Sequence, residues 1–243
     1  MRISEILRQT GHRPWELPRE PWRYYQEWND AVFLHWRVEP AELRKHLPAE
    51  LEIDLIDSEP WVSLVAFSME KIRPRYLPAF PPISNFSEIN VRAYVRHSGK
   101  PGVYFLSIEG GKRVSCFLAK TLSGLLYRYS EMKRGNGTYR SLNPGNGDRT
   151  DLEYETGKPT KEKTGLDLWL TERYALFQNT KNGIIEYETH HVEWPIHEIK
   201  LKKTDITFPA FTNLFSGPPE KSHYSPGVQV IAWGAKFGRR AES

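Results

Sequence analysis

A single cysteine, Cys116, stands among 243 residues, so one chain has neither a disulfide framework nor a cysteine metal cluster available to it. Apolar runs are short as well. Residues 61–67 form one of the longest, far below the roughly 20 residues a membrane-spanning helix needs. The N-terminal text MRISEILRQTGHRPW has no continuous apolar core of the signal-peptide kind. These shortages set the expectation of a cytoplasmic protein with no membrane partner.

Signature motifs are equally scarce. There is no G-x-x-x-x-G-K-[ST] phosphate loop, no G-x-G-x-x-G after a strand, no G-x-S-x-G elbow and no H-E-x-x-H helix. Nucleotide, α/β-hydrolase and zincin chemistry therefore lack support, and no organic cofactor is expected. His190, His191 and His197 invite a metal site. The first two point to opposite faces of a strand, so surface or hydrogen-bonded histidines are the better reading and no metal is expected. Cys116, inside a helical pattern, reads as a small core hydrophobe rather than a nucleophile. One-signed charge is missing too: 34 Lys and Arg face 30 Asp and Glu, a net charge of +4. The basic clusters at 71–75, 200–203 and 239–240 are short and scattered. They read as solvated surface, with no nucleic-acid partner. No internal repeat and no linker appears.

Aromatic residues are abundant: eight Trp, twelve Tyr and eleven Phe, ample for a core. Residues 1–30 read as an N-terminal arm rich in Pro and Trp, residues 31–235 as one domain, and residues 236–243 as a basic tail. Residues 38–48 read as a short helix, 51–56 as a strand, and 61–69 as a strand covered on both faces. A proline-dense loop follows. Residues 103–108 pair back on the strand at 86–96. Gly110-Gly111 opens a helix over about 112–126, with Val114, Phe117, Leu118, Thr121 and Leu125 at helical spacing. Gly135-Asn136-Gly137 and Asn182-Gly183 read as hairpin turns, and residues 228–233 as the closing strand. About nine strands, two helices and no βαβ rhythm predict an α+β domain, mainly antiparallel β. Its sheet is expected to be barrel-like, with a few packed helices.

The strand at 86–96 carries the best candidates. Ile89, Val91, Ala93 and Val95 share one face; Glu88, Asn90, Arg92 and Tyr94 share the other. Glu88 and Arg92 lie about 13 Å apart along it. That polar face is either simply solvated or grips a polar ligand inside the sheet.

Several ordered blocks carry a resemblance: HWRVEPAELRKHLPAELEIDLIDSEPWVSLVAFSMEKIRPR, FSEINVRAYVRHSGKPGVYFLSI, LTERYALFQ and SPGVQVIAW. Over about residues 30–235 the chain resembles the YqjF-like family of uncharacterised bacterial proteins. That family is similar in fold to acetoacetate decarboxylase, and the resemblance implies a barrel- or cone-like sheet around an internal cavity. The resemblance implies that Glu88, in FSEINVRAYV, stands at the cavity as acid or base. It also sets Gly124–Arg128 against the decarboxylase's Gly-Phe-Pro-Lys-Lys segment, so that Tyr127 and Arg128 occupy the positions of its paired lysines. A guanidinium stays protonated and cannot form an imine. Lys120 and Lys133 are near in sequence but off the matched position. The expectation is a pocket protein that binds or transforms a small carboxylate- or carbonyl-bearing compound without a Schiff-base lysine. In it Glu88 and Arg128 are the chemical pair, and Asn90, Arg92 and Tyr127 bind the ligand. The alternative is a non-catalytic binding or interaction protein with a vestigial pocket.

Overall fold

A computed structural model describes residues 1–237; part of the expected basic tail, 238–243, lies outside the described residues. The strands in chain order are β1 (Tyr24–Arg37), β2 (Glu52–Ile53), β3 (Leu55–Ile56), β4 (Glu59–Pro74), β5 (Phe86–His97), β6 (Lys100–Gly110), β7 (Arg128–Tyr129), β8 (Glu131–Gly135) and β9 (Thr138–Leu142). They continue with β10 (Arg149–Pro159), β11 (Ala175–Thr180), β12 (Gly183–His190), β13 (His197–Thr207), β14 (Lys221–Ala232) and β15 (Lys236–Phe237). Five short helices punctuate them: α1 (Ile3–Ile6), α2 (Pro40–Arg44), α3 (Pro81–Ser84), α4 (Arg113–Ser123) and α5 (Gly165–Thr171).

Seven strands form a closed circuit. The order runs β12-β11-β6-β5-β4-β1-β14, and β14 pairs back onto β12 through Thr189–Ala232 and His190–Ile231. Within this circuit only β6 and β11 run parallel. Beyond β14 the sheet continues through β13, β10, β9 and β8. That extension folds back over the outside, where Tyr139, Leu152 and Tyr154 pack with Leu34, Leu64, Ile89 and Val91 in the largest core cluster. The inner face carries Phe33, Val65, Phe67, Trp194 and Val230. The fold is thus a mainly antiparallel sheet, ring-like, with few helices, and the period-2 pattern of each ring strand decides what faces inward.

Several elements differ from the sequence expectation. The first long strand begins at Tyr24, inside the segment expected to be an arm, and residues upstream dock on the body: Ile6 is buried with Tyr25, Ile231 and Trp233. Strands β10 and β13 and helix α5 fall in stretches that carry loop-like or highly charged text. Helix α4 spans fewer residues than 112–126, and only part of its expected apolar stripe faces inward: Leu125 is buried and Leu118 half-buried. Val114 and Phe117 are 59% and 69% exposed, whereas Ser115 and Cys116 are buried. The reason is closeness: Cys116 Sγ sits so near Gly110 that a Cβ there would lie 2.7 Å from it. Small residues let the helix approach β6 on that side, and Val114 and Phe117 are turned outward.

Gly124 ends α4 in the left-handed conformation, φ 72°, which L side chains reach at a cost of about 1–2 kcal/mol. This turn sends Leu125 and Tyr127 back beneath the helix. Gly124→Ala is expected to destabilise the protein by about 1 kcal/mol, read as a lower urea midpoint at unchanged slope.

Candidate functional site

Glu88, Asn90 and Arg92 stand on the inner face of β5, while Ile89, Val91, Ala93 and Val95 pack in the outer core. Glu88 is 2% exposed. Its carboxyl accepts from the Tyr127 hydroxyl at 2.7 Å and from Asn90 Nδ2 at 3.3 Å. No cation pairs with it among the described residues. Burial pushes its pKa up to about 7, against the pull of those two hydrogen bonds. Asn90 is buried beside it and leaves Oδ1 without a partner.

Glu88, Arg92 and Tyr127 line one cavity of about 340 Å³, reached between the start of β1, the end of α4 and the β12–β14 junction. Arg92 lays its guanidinium 5.6 Å from the centre of the Phe33 ring and 5.7 Å from that of Tyr94. Its Nη2 donates to the Leu170 carbonyl at 3.1 Å, and its buried Nε has no partner.

Arg173 joins them on the cavity wall. It follows α5, donates from Nη1 to Asp54 Oδ2 at 2.6 Å and from Nε to the Trp169 carbonyl at 2.8 Å. Its guanidinium lies 4.1 and 4.9 Å from the centres of the Trp169 and Tyr94 rings. Its Nη2 is buried and unpartnered. Burial lowers its pKa, and Asp54 opposes that shift. Sequence reasoning missed Arg173. Its only signal was a place in the LTERYALFQ block, ahead of a strand.

Arg128 is not brought to this cavity. It pairs in register with Glu109, and Glu109 stands opposite Ile89, one residue out of phase with Glu88. A one-residue offset on a strand means the other face of the sheet. There Arg128 Nη2 reaches Asp148 Oδ2 at 2.7 Å, Ser107 Oγ at 2.5 Å and Glu109 Oε1 at 3.2 Å. Glu109 is also held by Ser130 and Asn143, and burial raises its pKa to about 7. This cluster satisfies itself and is separate from Glu88.

Behind Arg92 runs a chain of buried polar groups. His35 Nδ1 lies 2.5 Å from Ser63 Oγ, and Ser63 Oγ lies 2.6 Å from the Tyr94 hydroxyl. Tyr94 reaches the same Leu170 carbonyl that Arg92 uses, at 2.7 Å. In the other direction His35 Nε2 meets His223 Nδ1 at 3.1 Å, and His223 Nε2 donates to Asp167 Oδ1 at 2.7 Å. Lys221 also pairs with Asp167, at 2.8 Å. The chain joins β1, β4, β5, β14 and α5.

His190 and His191 are buried, each with one ring nitrogen on a backbone carbonyl and the other unpartnered. Burial pulls them down to about 4 and about 3. Among the described residues no group of three or more His, Cys, Asp or Glu is placed to hold a metal. No helix of the described residues is long and apolar enough to cross a membrane.

A family model described as an uncharacterized conserved protein, DUF2071, matches residues 25–229. The chain is 32% identical over 226 residues to the uncharacterized protein YqjF of Bacillus subtilis (strain 168), covering 89% of this chain and 93% of that one. Among solved structures, it is similar to the acetoacetate decarboxylase of Legionella pneumophila, with TM-score 0.60 and 14% identity over 94% of this chain and 93% of the other. It is also similar to the enduracididine biosynthesis enzyme MppR complexed with pyruvate, with TM-score 0.58 and 12% identity over 92% of each chain. At these identities the likeness is one of fold.

Proposed function

The chain belongs to the DUF2071 family, and on that premise we propose that it binds, and acts as acid or base on, a small compound bearing a carboxylate and a carbonyl. The observation that carries this reading is the company kept inside one cavity. Two guanidiniums there each hold a buried N–H without a partner, beside a carboxyl whose pKa is about 7. The two guanidiniums share one cavity wall, and a ligand carboxylate there gains charge-assisted hydrogen bonds from them. Glu88, titrating near neutrality, suits proton transfer to or from a carbonyl compound, and Tyr127 holds its carboxyl in place.

The chemistry in this reading needs no Schiff base. The cavity wall carries Arg23, Arg92 and Arg173 but no lysine, and Lys120 and Lys133 are exposed elsewhere. Arg128 takes no part, since its partners lie across the sheet. An open cavity with Glu88, Arg92 and Arg173 on its wall also disfavours the vestigial alternative, which calls for a collapsed apolar interior.

Pyruvate, seen with a fold neighbour, is the first probe. Calorimetry is expected to detect it binding to the wild type. Arg92→Met and Arg173→Lys are each expected to weaken it at least tenfold, the second because an ammonium cannot reproduce the planar fork. Borohydride reduction with pyruvate or acetoacetate is expected to leave every lysine unmodified in intact-mass spectra. Undiminished binding in both variants defeats the arginine assignment; a lysine adduct defeats the exclusion of imine chemistry.

A further inference from the structure

A second hollow of about 250 Å³ lies against the first, under α4. Six residues border both: Tyr24, Gln26, Leu122, Ser123, Leu125 and Tyr127. Tyr127 is the residue whose hydroxyl holds Glu88, so one side chain separates the second hollow from the carboxyl. Its remaining wall is largely apolar, with Ile72, Pro78, Phe80, Ile83, Leu118 and Ala119.

The polar groups on that wall are already spent on protein. Ser84 Oγ donates to Asn85 Oδ1 at 3.0 Å, Ser115 Oγ to the Ile83 carbonyl at 2.7 Å and Ser123 Oγ to the Ala119 carbonyl at 2.6 Å. Arg73 turns its guanidinium over the Tyr25 ring, 4.8 Å from the centre. What this hollow offers a guest is hydrocarbon surface, the ordinary lining of a ligand pocket.

We propose that the hollow under α4 is an annex of the Glu88 cavity, and that the ligand is a carboxylate compound with a medium-length aliphatic tail lying in it. This rests on the reading of the Glu88 cavity given above. The carboxylate end meets Arg92 and Arg173, the reacting carbon faces Glu88, and the tail passes Leu122 and Leu125 into the annex.

The test measures binding of pyruvate, 2-oxobutanoate, 2-oxohexanoate and 2-oxooctanoate to the wild type and to Ala119→Trp, which fills the annex without touching Glu88, Arg92 or Arg173. Each added methylene is expected to tighten binding about two- to fourfold in the wild type. In Ala119→Trp that gain is expected to vanish while the pyruvate affinity stays, which also reports that the variant folds. 2-Octanone, lacking the carboxylate, reads the annex alone and is expected to bind the wild type but not the variant. Pyruvate binding with no gain along the series overturns the annex and spares the cavity reading. Loss of pyruvate binding with 2-octanone still bound overturns the cavity reading instead. A chain-length gain that survives in Ala119→Trp puts the tail elsewhere and also overturns the proposal.

Discussion

Glu88→Gln is expected to stabilise the protein by about 2–3 kcal/mol at pH 8 and by almost nothing at pH 4. The wild-type carboxyl titrates near 7 in the folded chain against an ordinary 4.5. A carboxyl with a raised folded pKa contributes its stability in the protonated form. That contribution is complete below about pH 4.5, declines as pH rises, and is gone above about 7. At about 1.4 kcal/mol per pKa unit the loss is on the order of 3 kcal/mol. Glutamine is neutral throughout and escapes it. Its oxygen still accepts from Tyr127, and its amide donates to Asn90 Oδ1, which has no partner, once the Asn90 amide turns over. Urea midpoints at pH 4, 6 and 8 read the effect. A variant less stable than wild type at pH 8 shows that Glu88 is comfortably charged in place, and removes it as a group poised for proton transfer.

That carboxyl was legible in the sequence because a strand repeats every two residues. In FSEINVRAYV the apolar side chains fall at 89, 91, 93 and 95, which sets Glu88, Asn90 and Arg92 together on the other face; whether that face meets solvent or a cavity depends on closure of the ring, which alternation alone does not show. The same rule, applied one position out of phase across β6 and β7, sends Arg128 away. A motif-level alignment of Gly124–Arg128 places Tyr127 beside Glu88 but says nothing about which face Arg128 takes. Register decides it, and register belongs to pairing between segments. The closing extension was harder. In β10 Leu152 and Tyr154 alternate with Asp151, Glu153 and Glu155, yet the run is short of apolar text. In β13 the lysines of the 200–203 cluster look like free surface charge until the pairing is known. Lys203 lies 2.7 Å from Asp151 across the ladder, and Lys202 meets Glu155.

The residues behind Arg92 were not legible at all. His35, Ser63, Tyr94, Asp167 and His223 span 188 positions from first to last, on five elements, and each alone is an ordinary core or surface residue. Only the pairing of β14 with β1 brings His223 to His35. Arg173 was hidden for the same reason: it becomes a wall residue because β11 pairs with β6 and carries the preceding turn across the mouth of the cavity.

The largest loss is expected from Asp167→Asn, about 3 kcal/mol or more at pH 7, because it removes a buried carboxylate on which Lys221, His223 and Thr164 all converge. Asp167 is 4% exposed and faces His223 on β14, Lys221 on the same strand, and the Thr164 N–H and hydroxyl that cap α5. These donors, with burial opposing them, hold its carboxyl far below the usual carboxylate range. For a depressed carboxyl the sign is the reverse of Glu88: its stability is present above about pH 4 and is lost as pH falls further. The gap between wild type and Asp167→Asn is therefore expected to be full at pH 7 and to shrink steadily below pH 4. The consequence extends to the cavity. Tyr94 has one proton to share between Ser63 Oγ and the Leu170 carbonyl, and buried His35, its pKa held well down by desolvation, has one proton for two partners. Burial pulls His223 below its ordinary pKa even with Asp167 beside it, so the chain is neutral at pH 7: Ser63 donates to His35 Nδ1, His35 Nε2 to His223 Nδ1, and His223 Nε2 to Asp167. Without the Asp167 carboxylate that line loses its terminal acceptor, Lys221 loses its partner, and α5, which carries the Leu170 carbonyl, is less firmly anchored. Arg92 and the neighbouring Arg173 are then less firmly aimed. Pyruvate binding is expected to weaken several-fold in Asp167→Asn under conditions where the variant remains folded, with Arg92 and Arg173 both still present. A variant that loses stability but binds pyruvate as tightly as wild type confines this buried chain to a structural role.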